Sequence, residues 1–468
     1  MRKSVLFTFG ILLVCSMQGQ TLAGDWHGTL DFSGMKLRLV FHIEEADGNY
    51  TATMDSPDQG ASGIPVEKVS LTDQEVEINL PKLGISYKGE LDAAGSRITG
   101  NFQQGGAVIP LELGREAQEK PVIKRPQEPE GPLPYREEEV TYDNAEAEGV
   151  TLAGTLSLPV GDGPFPAVIL ISGSGPQDRN EELLGHKPFL VIADHFTRTG
   201  IAVLRFDDRG VAGSTGDFKA ATSQDFASDV RAGISFLQKR TEIDRQHIGL
   251  VGHSEGGLIA PIVAADNPDV DFIVMMAGPG VNGTEILLLQ QQLIARAEGA
   301  SEEEIERTRK ASMKMYEDIR KTKDLERTKK ELVEYVKKEL DRLSEQEKSG
   351  LGDLDKLAKQ QVETLSGPWF RYFLSYDPQP TLKKVSCPVL AINGSKDLQV
   401  DAEQNIPMIE KALKAGGNKQ FTTRVLPGLN HLFQHSETGR SSEYGQLEET
   451  FAPEALDLMT DWIREQVE

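Results

Sequence analysis

The sequence is poor in cysteine and in histidine, and these two shortages exclude whole classes of site. Cys15 and Cys387 are the two cysteines in 468 residues, and Cys15 lies in a predicted N-terminal leader. We therefore expect no disulfide within the mature chain. The eight histidines are scattered and show neither the His-Glu-x-x-His pattern nor a Cys/His ligand spacing, so we expect no metal ion.

Positive charge is also in short supply. The chain has 50 lysine and arginine residues against 73 aspartate and glutamate residues, which gives a formal net charge of −23. This balance disfavours binding to nucleic acid and to anionic lipid surfaces. The sequence contains no phosphate-binding P-loop, and no Gly-x-Gly-x-x-Gly follows a predicted strand. We therefore expect a small-molecule substrate, no nucleic-acid partner and no cofactor.

The N-terminus carries a short apolar run rather than a membrane span. Residues 1–23 begin with basic residues, continue with an apolar stretch that ends at Cys15, and finish with small or polar residues, a layout typical of a secretory signal peptide. We expect cleavage between Gly19 and Gly24, export to the periplasm or the medium, and no integral membrane segment afterwards. Lipid attachment at Cys15 is the less favoured alternative, because Val14 precedes it where a small residue is wanted.

Residues 24–115 are predicted to form a separate β domain. The runs 35–42 and 75–80 alternate apolar and polar residues, and turn signals such as Asp47-Gly48-Asn49 separate the runs. Alternation with a period of two at close, regular spacing predicts an antiparallel barrel or sandwich. The region has no evident catalytic set, so a structural or dimerising role is favoured over ligand binding. Residues 116–138 are rich in proline, lysine and glutamate and are predicted to be an exposed linker.

The pentapeptide Gly252-His253-Ser254-Glu255-Gly256 is the most informative motif of the chain. A buried-strand pattern, residues 248–251, precedes it, and a helical pattern that begins at Gly257 follows it. Strand, sharp turn and helix with Gly-x-Ser-x-Gly at the turn form the nucleophile elbow of a serine hydrolase. A plain glycine-rich turn is the alternative for the bare pattern, and the flanking elements argue against it. We therefore predict that Ser254 is a nucleophile.

A base and an acid are expected after the nucleophile, in the order Ser, Asp, His. Residues 388–394 form a second buried-strand pattern, and Asp397 follows its turn at the sheet edge where such folds place their chemistry. A further strand, residues 422–426, leads into the loop that carries His431. We predict that His431 takes the proton of Ser254 and that Asp397 orients the imidazole. The rivals at these two positions are Asp401 and His435.

Two backbone amides are expected to face the oxyanion. One is the amide of Glu255, at the start of the elbow helix, and the other should come from the loop after an earlier strand. Residues 166–171 supply that strand, and residues 172–176 form a loop of glycine and serine that ends in proline. Glycines let a backbone approach a ligand closely, so we predict that the second amide is that of Ser174. A plain turn is the alternative, and the order of strand and loop disfavours it.

From about Glu139 to the C-terminus, the chain resembles the α/β-hydrolase superfamily. It is most similar to bacterial serine esterases with a Gly-Ser-Gly-Pro-x-Asp-Arg loop, here residues 173–179. Those esterases also have Asp-x-Arg-Gly-Val-Gly-x-Ser-x-Gly after the next strand, and residues 207–216 match this stretch except that Ala212 stands where glycine is usual. The resemblance implies an α/β fold with a mostly parallel sheet flanked by helices over residues 139–468.

The same resemblance implies an activity, namely hydrolysis of carboxylic esters with small acyl groups. It also implies that Asp178 and Arg179 lie near the mouth of the site, where they would contact the substrate. Ser172 opens the oxyanion loop where many lipases have histidine, which disfavours a lipase with a His-Gly-Gly-Gly loop. The charged residues 207–209 are predicted to form a salt-bridged turn that supports the site.

Residues 281–380 are predicted to be a helical cap inserted into the hydrolase domain. An insertion at this point of the fold usually builds a lid over the nucleophile. Residues 301–350 are dominated by charged side chains, which predicts solvated helices. Their thin apolar stripe at helical spacing consists of Leu332, Val336 and Leu340. Trp369 and Phe370 lie in the aromatic stretch that closes the insertion, and they either line the acyl pocket or pack the cap against the core.

These predictions together describe an exported serine carboxylesterase that acts through an acyl-enzyme on Ser254. A serine peptidase, an aminopeptidase or a thioesterase of the same fold would use the same triad, and export away from acyl-coenzyme A disfavours the thioesterase. The alternative of another class is a non-catalytic envelope or glycan-binding protein. The complete spacing of nucleophile, acid and base argues against that alternative.

Overall fold

The computed structural model describes residues 21–32, 35–46, 48–57, 61–104, 107–117, 123–342, 348 and 353–468. All but the last three residues of the predicted signal peptide, 1–23, lie outside the described residues. The chain forms two compact units. One comprises Met1–Pro121 with Lys338–Leu357, and the other comprises Val122–Lys337 with Ala358–Glu468.

The first unit is built on an antiparallel sheet of nine strands. The strands are β1 Gly24–Phe32, β2 Met35–Ala46, β3 Asn49–Ser56, β4 Ala61–Val66, β5 Lys68–Thr72, β6 Glu75–Leu80, β7 Ile85–Leu91, β8 Arg97–Gln104 and β9 Ala107–Gly114. They are paired in the order β4-β3-β2-β1-β9-β8-β7-β6-β5. A short 3-10 helix, Pro81–Leu83, follows β6. The prediction of an antiparallel N-terminal β domain is confirmed.

One face of this sheet forms an apolar core because apolar residues recur at every second position. Trp26, Phe41 and Tyr87 are fully buried there. The guanidinium of Arg115 lies 3.6 Å from the centroid of the Trp26 ring and closes one side of the core through a cation–π contact. Strand β3 also approaches β5, so the sheet curls round this core. The structural, dimerising or binding role of the unit stays a prediction.

The second unit contains a mixed sheet of eight strands. They are β10 Arg136–Asp143, β11 Thr151–Leu158, β12 Phe165–Ile171, β13 Ala202–Phe206, β14 Ile243–His253, β15 Phe272–Met276, β16 Val389–Gly394 and β17 Phe421–Leu426. Their order is β10-β11-β13-β12-β14-β15-β16-β17. The expected parallel pairing holds from β13 to β17, whereas β11 pairs antiparallel with both of its neighbours, β10 and β13, and makes the sheet mixed.

Helices cover both faces of the mixed sheet, which explains why its central strands are apolar throughout. In β12, Val168 and Leu170 face one apolar layer, and Ala167 and Ile169 face the other. The first layer includes α1 (Pro188–Arg198) and α12 (Pro453–Val467). The second includes α2 (Ser223–Leu237), α3 (Glu255–Ala264) and α10 (Ala402–Gly416). A short helix, α11 (Ser441–Tyr444), precedes α12.

Between β15 and β16, helices with described bounds lie within the range predicted for the cap or just beyond it. They are α4 Gly283–Ala297, α5 Glu302–Lys321, α6 Leu325–Leu340, α7 Leu354–Ser366, α8 Pro368–Ser375 and α9 Gln379–Leu382. Leu332 and Val336, two residues of the predicted apolar stripe, are buried, and most of the charged side chains around them are not. Across the described ranges, every helix is too short or too polar to cross a membrane.

Candidate active site

Ser254 occupies the turn between β14 and α3 in a strained backbone conformation. Its φ of +53° and ψ of −113° lie outside the regions that L-residues favour. Its amide donates to the carbonyl of Met276 at 2.8 Å, which ties the turn to the neighbouring strand. A Cβ on Gly252 would lie 2.1 Å from the carbonyl oxygen of Gly256, and a Cβ on Gly256 would lie 2.0 Å from that of Ile171. The two glycines are therefore required for the turn.

His431 and Asp397 meet at the edge of the sheet where β16 and β17 end. The distance between His431 Nδ1 and Asp397 Oδ2 is 2.8 Å, and both side chains are buried. The other carboxylate oxygen of Asp397 accepts hydrogen bonds from the amides of Gln399 and Val400, at 2.8 and 2.9 Å. Three donors thus fix the carboxylate, and the carboxylate fixes the tautomer of His431.

The two rival residues lie in other surroundings. Asp401 caps the N-terminus of α10, where its side chain accepts a hydrogen bond from the amide of Gln404 at 2.8 Å. His435 is more than half exposed, and its ring nitrogens lie 3.0 and 2.9 Å from Glu449 and Glu454. The structure therefore pairs Asp397, and neither rival, with the predicted base.

Ser254 lies next to the residue that contacts His431. His253 Nε2 is 2.9 Å from the carbonyl oxygen of His431, and the ring centroids of the two histidines are 4.9 Å apart. Among the hydrogen bonds of the described residues, none joins Ser254 Oγ to His431. The elbow and the Asp–His pair are thus neighbours.

The two predicted oxyanion donors are free of protein acceptors within the described chain. Hydrogen bonds within these residues engage neither the amide of Ser174 nor the amide of Glu255. In contrast, the adjacent amide of Gly173 donates to Glu181 Oε1 at 2.6 Å. A Cβ on Gly173 would lie 3.3 Å from Ser254 Cβ, so the loop after β12 runs directly past the nucleophile.

The charged turn after β13 supports that loop, as predicted. Arg179 is paired with Asp207 at 2.8 Å and also contacts Glu139, while Arg209 is paired with Asp229 at 2.7 Å. The carboxylate of Asp178 accepts hydrogen bonds from two amides of its own turn, those of Asn180 and Glu182. In the structure, Asp178 and Arg179 therefore hold the loop. Their contact with substrate stays a prediction.

Asp208 lies beneath the same loop. Its carboxyl is hydrogen-bonded to Ser172 Oγ at 2.8 Å and to the amide of Gln177 at 2.9 Å. Burial, with a smaller contribution from the nearby charges of Glu255 and Glu181, raises the pKa of Asp208 to about 8. The carboxyl is therefore mostly neutral at pH 7.

The cap contacts the residue that follows the nucleophile. Trp369 Nε1 donates to Glu255 Oε1 at 2.7 Å, and Ser223 Oγ donates to the same oxygen at 2.5 Å. Burial raises the pKa of Glu255. Trp369 also stacks on Phe373 with 5.2 Å between ring centroids, whereas Phe370 faces Tyr316. The structure therefore shows Trp369 packing the cap on the core beside Glu255. Its place in the lining of an acyl pocket stays a prediction.

The residues that sequence analysis missed are His253 and Glu181. His253 Nδ1 lies 2.9 Å from Glu181 Oε1, and both side chains are buried. Burial opposes the charge on His253, but the carboxylate of Glu181 and the His431 carbonyl outweigh it and raise the pKa of His253. The place of His253 beside Ser254 was visible in the motif, whereas no pattern in the loop marks Glu181.

A metal site is not evident in the part of the chain that the structure describes, because its His, Cys, Asp and Glu side chains form no group of three that could hold an ion. The acids near Ser254 instead pair with arginine, histidine, hydroxyl groups or backbone amides. The site can therefore offer a serine hydroxyl, an imidazole backed by a carboxylate, and two amides without protein acceptors.

Comparison with known proteins points to hydrolases. A family model described as X-Pro dipeptidyl-peptidase (S15 family) matches residues 148–433, more than half of the chain. The chain is similar to the esterase EstD of Thermotoga maritima, with 26% identity over 318 residues that cover 66% of this chain and 63% of that protein. It thus spans less than two thirds of the length of this curated relative.

Two solved structures are also similar. The esterase Pf2001 of Pyrococcus furiosus superimposes with a TM-score of 0.42 and 16% identity, covering 71% of this chain and 93% of that one. The α/β hydrolase GrgF from Penicillium gives a TM-score of 0.43 with 18% identity, covering 71% of this chain and 99% of that one.

Proposed function

The chain belongs to the X-Pro dipeptidyl-peptidase (S15) family, and from this premise we propose that it is a serine hydrolase that cleaves carboxylic esters through an acyl-enzyme on Ser254. The observation that carries the proposal is the 2.8 Å contact between His431 Nδ1 and Asp397 Oδ2, beside an elbow that presents Ser254. The similarity to an esterase supports the ester as the bond that is cleaved.

His431 acts as general base and then as general acid. Asp397 keeps the proton on Nδ1, which leaves the lone pair of Nε2 for the hydroxyl of Ser254. Ser254 Oγ attacks the ester carbonyl carbon while His431 takes the hydroxyl proton, and His431 then gives that proton to the departing alcohol. Water adds to the acyl-enzyme by the same proton relay, and the carboxylic acid leaves. The bond from Ser254 to His431 forms as substrate binds, since such bonds are often long without ligand.

The oxyanion of each tetrahedral intermediate is bound by the amides of Ser174 and Glu255. Both lack an acceptor within the described residues, and both flank the turn that carries Ser254. Donors held in place before the reaction stabilise the developing charge without reorganisation, and the loss of one such donor typically lowers kcat by about 10²- to 10³-fold.

The acyl group lies under the cap, against Trp369 and Phe370. The stack of Trp369 on Phe373 and its hydrogen bond to Glu255 keep this aromatic wall close to the elbow. A short acyl chain suits a site that is bounded by packed rings. The measurement is a panel of nitrophenyl esters of increasing chain length, and a rate that rises steadily with chain length would contradict the assignment.

A serine peptidase is the second candidate, and the family match favours it. The same triad and oxyanion amides cleave an amide when the leaving amine is protonated by His431. Parallel assays with nitrophenyl acetate and with a dipeptidyl nitroanilide that has proline at its second position separate the candidates. The esterase proposal expects a higher kcat/KM for the ester, and a clear preference for the anilide would overturn it in favour of the peptidase.

The decisive test of the nucleophile is Ser254→Ala. We expect hydrolysis to fall by several powers of ten, as in other triad deletions. Ser235→Ala, on the exposed side of α2, is the matched control and should keep the parent rate. An S254A variant that hydrolyses nitrophenyl acetate as fast as the parent would refute the proposal. Covalent labelling of Ser254 by a fluorophosphonate would exclude a non-catalytic envelope or glycan-binding protein. Absence of any label would favour that alternative.

We also propose that the protein is exported through a leader within residues 1–23, without lipid attachment at Cys15. Fractionation of cells that express the full chain should place the protein in the periplasm or the medium, with an N-terminus between Gly19 and Gly24. A Cys15→Ser variant should distribute like the parent. Recovery of the uncleaved protein from the cytoplasm would contradict export, and loss of a membrane-bound fraction in the C15S variant would indicate a lipoprotein.

A further inference from the structure

A buried chain of hydrogen bonds passes behind the nucleophile. The amide of Gly173 donates to Glu181 Oε1 at 2.6 Å, and the same oxygen lies 2.9 Å from His253 Nδ1. At the other side of the ring, His253 Nε2 lies 2.9 Å from the carbonyl oxygen of His431. These hydrogen bonds therefore connect the loop after β12, the end of β14 and the loop after β17.

The partners decide where the protons are. A carbonyl oxygen can only accept, so His253 Nε2 carries a proton and donates it to His431. With Glu181 as a carboxylate, Oε1 accepts from both of its partners, the Gly173 amide and His253 Nδ1. Both ring nitrogens then carry protons, and His253 is an imidazolium paired with the carboxylate of Glu181. With both nitrogens occupied, His253 has no lone pair with which to act as a base.

The pair is costly for the fold. His253 and Glu181 are 6% and 5% exposed, and apolar side chains line the space beside them. Those side chains include Phe189, Ile192 and Phe451. Replacement of a buried ion pair by apolar residues of similar size is often neutral or stabilising. Glu181 also has a φ of +51°, in the left-handed region that favours glycine. Stability alone does not account for a charged residue at this position.

We propose that His253 and Glu181 are positioning residues, which clamp the oxyanion loop and the loop of the general base onto the nucleophile turn. Glu181 holds Gly173 against Ser254 and so aims the next amide, that of Ser174, at the oxyanion. His253 holds the backbone of His431 and so places its imidazole. The inference rests on the proposed function, because it gives both loops the roles assigned there.

The distances around Gly173 support this assignment. A Cβ on Gly173 would lie 3.2 Å from Glu181 Oε1 and 3.3 Å from Ser254 Cβ. The loop thus has no slack between the carboxylate on one side and the nucleophile on the other. A loop that loses the carboxylate gains freedom to shift away from Ser254, and a misplacement of about 1 Å can lower a rate by about 10²-fold.

The first test compares two replacements of Glu181. Glu181→Leu removes the acceptor, and we expect kcat to fall by about 10- to 100-fold with KM unchanged. Glu181→Gln keeps an acceptor for the Gly173 amide and should restore most of kcat. Glu182→Gln, on the exposed neighbour, is the matched control and should behave like the parent. A kcat of E181L equal to that of the parent would overturn the proposal.

The second test divides the function of His253 between two amide side chains. His253→Asn keeps a donor near the position of Nδ1, toward Glu181, whereas His253→Gln keeps one near the position of Nε2, toward His431. If His253 acts as a clamp, both variants should have a lower kcat and a lower rate of fluorophosphonate labelling than the parent, because each lacks one of the two contacts. If either variant labels and turns over like the parent, the contact that it lacks is not needed and the clamp is refuted.

The third test separates positioning from folding. The double variant Glu181→Leu/His253→Leu replaces the pair by apolar residues, and we expect a folded protein with a thermal midpoint near that of the parent and a kcat at least about 10-fold lower. A double variant that is folded and fully active would overturn the inference. Should it fail to fold, the H253N and H253Q variants still decide. An S254A variant that remains active would refute the proposed function itself, which is a different outcome from any of these.

Discussion

His431 Nδ1 lies 2.8 Å from Asp397 Oδ2, although 34 residues separate the two in the chain. The distance is short because β16 and β17 pair in parallel and end at the same edge of the sheet. Each residue follows its own strand by a few positions, so the sheet brings the two loops together. The catalytic proposal depends on this pair more than on any other contact.

The first prediction concerns the acid. Asp397→Asn keeps the size of the side chain but presents an amide to His431, which disturbs the tautomer that leaves Nε2 free. We expect kcat to fall by about 10⁴-fold, as for the equivalent change in other triads. Asp401→Asn is the matched control, since asparagine also caps a helix. Steady-state ester hydrolysis is the measurement, and a larger loss in D401N than in D397N would reverse the assignment.

The second prediction concerns pH. The pKa of Asp208, about 8 in the folded chain against a usual 3.8, means that the folded form holds a proton that the unfolded form releases. The stability from this proton is fully present below about pH 4 and is lost as pH rises through about 8, by at most about 1.4 kcal/mol per pH unit.

Asp208→Asn removes that dependence, because an amide can donate to Ser172 Oγ and accept from the Gln177 amide without titrating. We expect the free energy of unfolding of D208N, relative to that of the parent, to increase between pH 5 and pH 8. Urea unfolding at several pH values measures it, with the exposed Asp217→Asn as control. Parallel stability curves for D208N and the parent would contradict the prediction.

The third prediction concerns the cap. Trp369→Phe keeps an aromatic ring on Phe373 but removes the donor to Glu255 Oε1. Loss of a hydrogen bond to a buried carboxyl should lower the free energy of unfolding by about 1–3 kcal/mol. Trp369→His retains a ring N–H and should recover part of the loss. An equal free energy of unfolding for W369F and the parent in chemical denaturation would show that this hydrogen bond does not stabilise the fold.

The fourth prediction concerns Ala212, which stands at a position where the resemblance to bacterial serine esterases implies glycine. The residue has a φ of +44°, so its Cβ is strained and glycine would not be. The strain costs about 1–2 kcal/mol and the greater freedom of glycine in the unfolded chain returns about 0.5–1 kcal/mol. Ala212→Gly should therefore raise the free energy of unfolding by about 0.5–1 kcal/mol. Ala220→Gly, at an exposed residue without positive φ, should give no gain.

Much of the fold and of the candidate site follows from local patterns. Ser254, Asp397 and His431 each follow a predicted strand within a few positions, and the carboxyl ends of parallel strands lie at a common edge. The antiparallel sheet of the first unit follows in the same way from alternation. The mixed character of the second sheet was not predicted, because β10 and β11 lie at its edge, where the resemblance to a mostly parallel fold says least.

The contacts that depend on packing could not be predicted. The contact of His253 with Glu181 joins a strand end to a loop 72 residues earlier, and a lone glutamate in a loop has no periodicity to mark it. The pairing of Trp369 with Glu255 depends on how the cap helices dock, which spacing along the chain does not encode. Arg179 was predicted to contact the substrate, but its guanidinium forms ion pairs with Asp207 and Glu139.

The chain leaves the sheet at Met276 and returns to it at Val389, and the strands that contain these residues are hydrogen-bonded neighbours. The two ends of the insertion are therefore held side by side whatever the length of chain between them. One strand supplies the carbonyl that anchors Ser254, and the other leads to Asp397. An insertion of different length at this junction would therefore leave Ser254 and Asp397 where the sheet holds them.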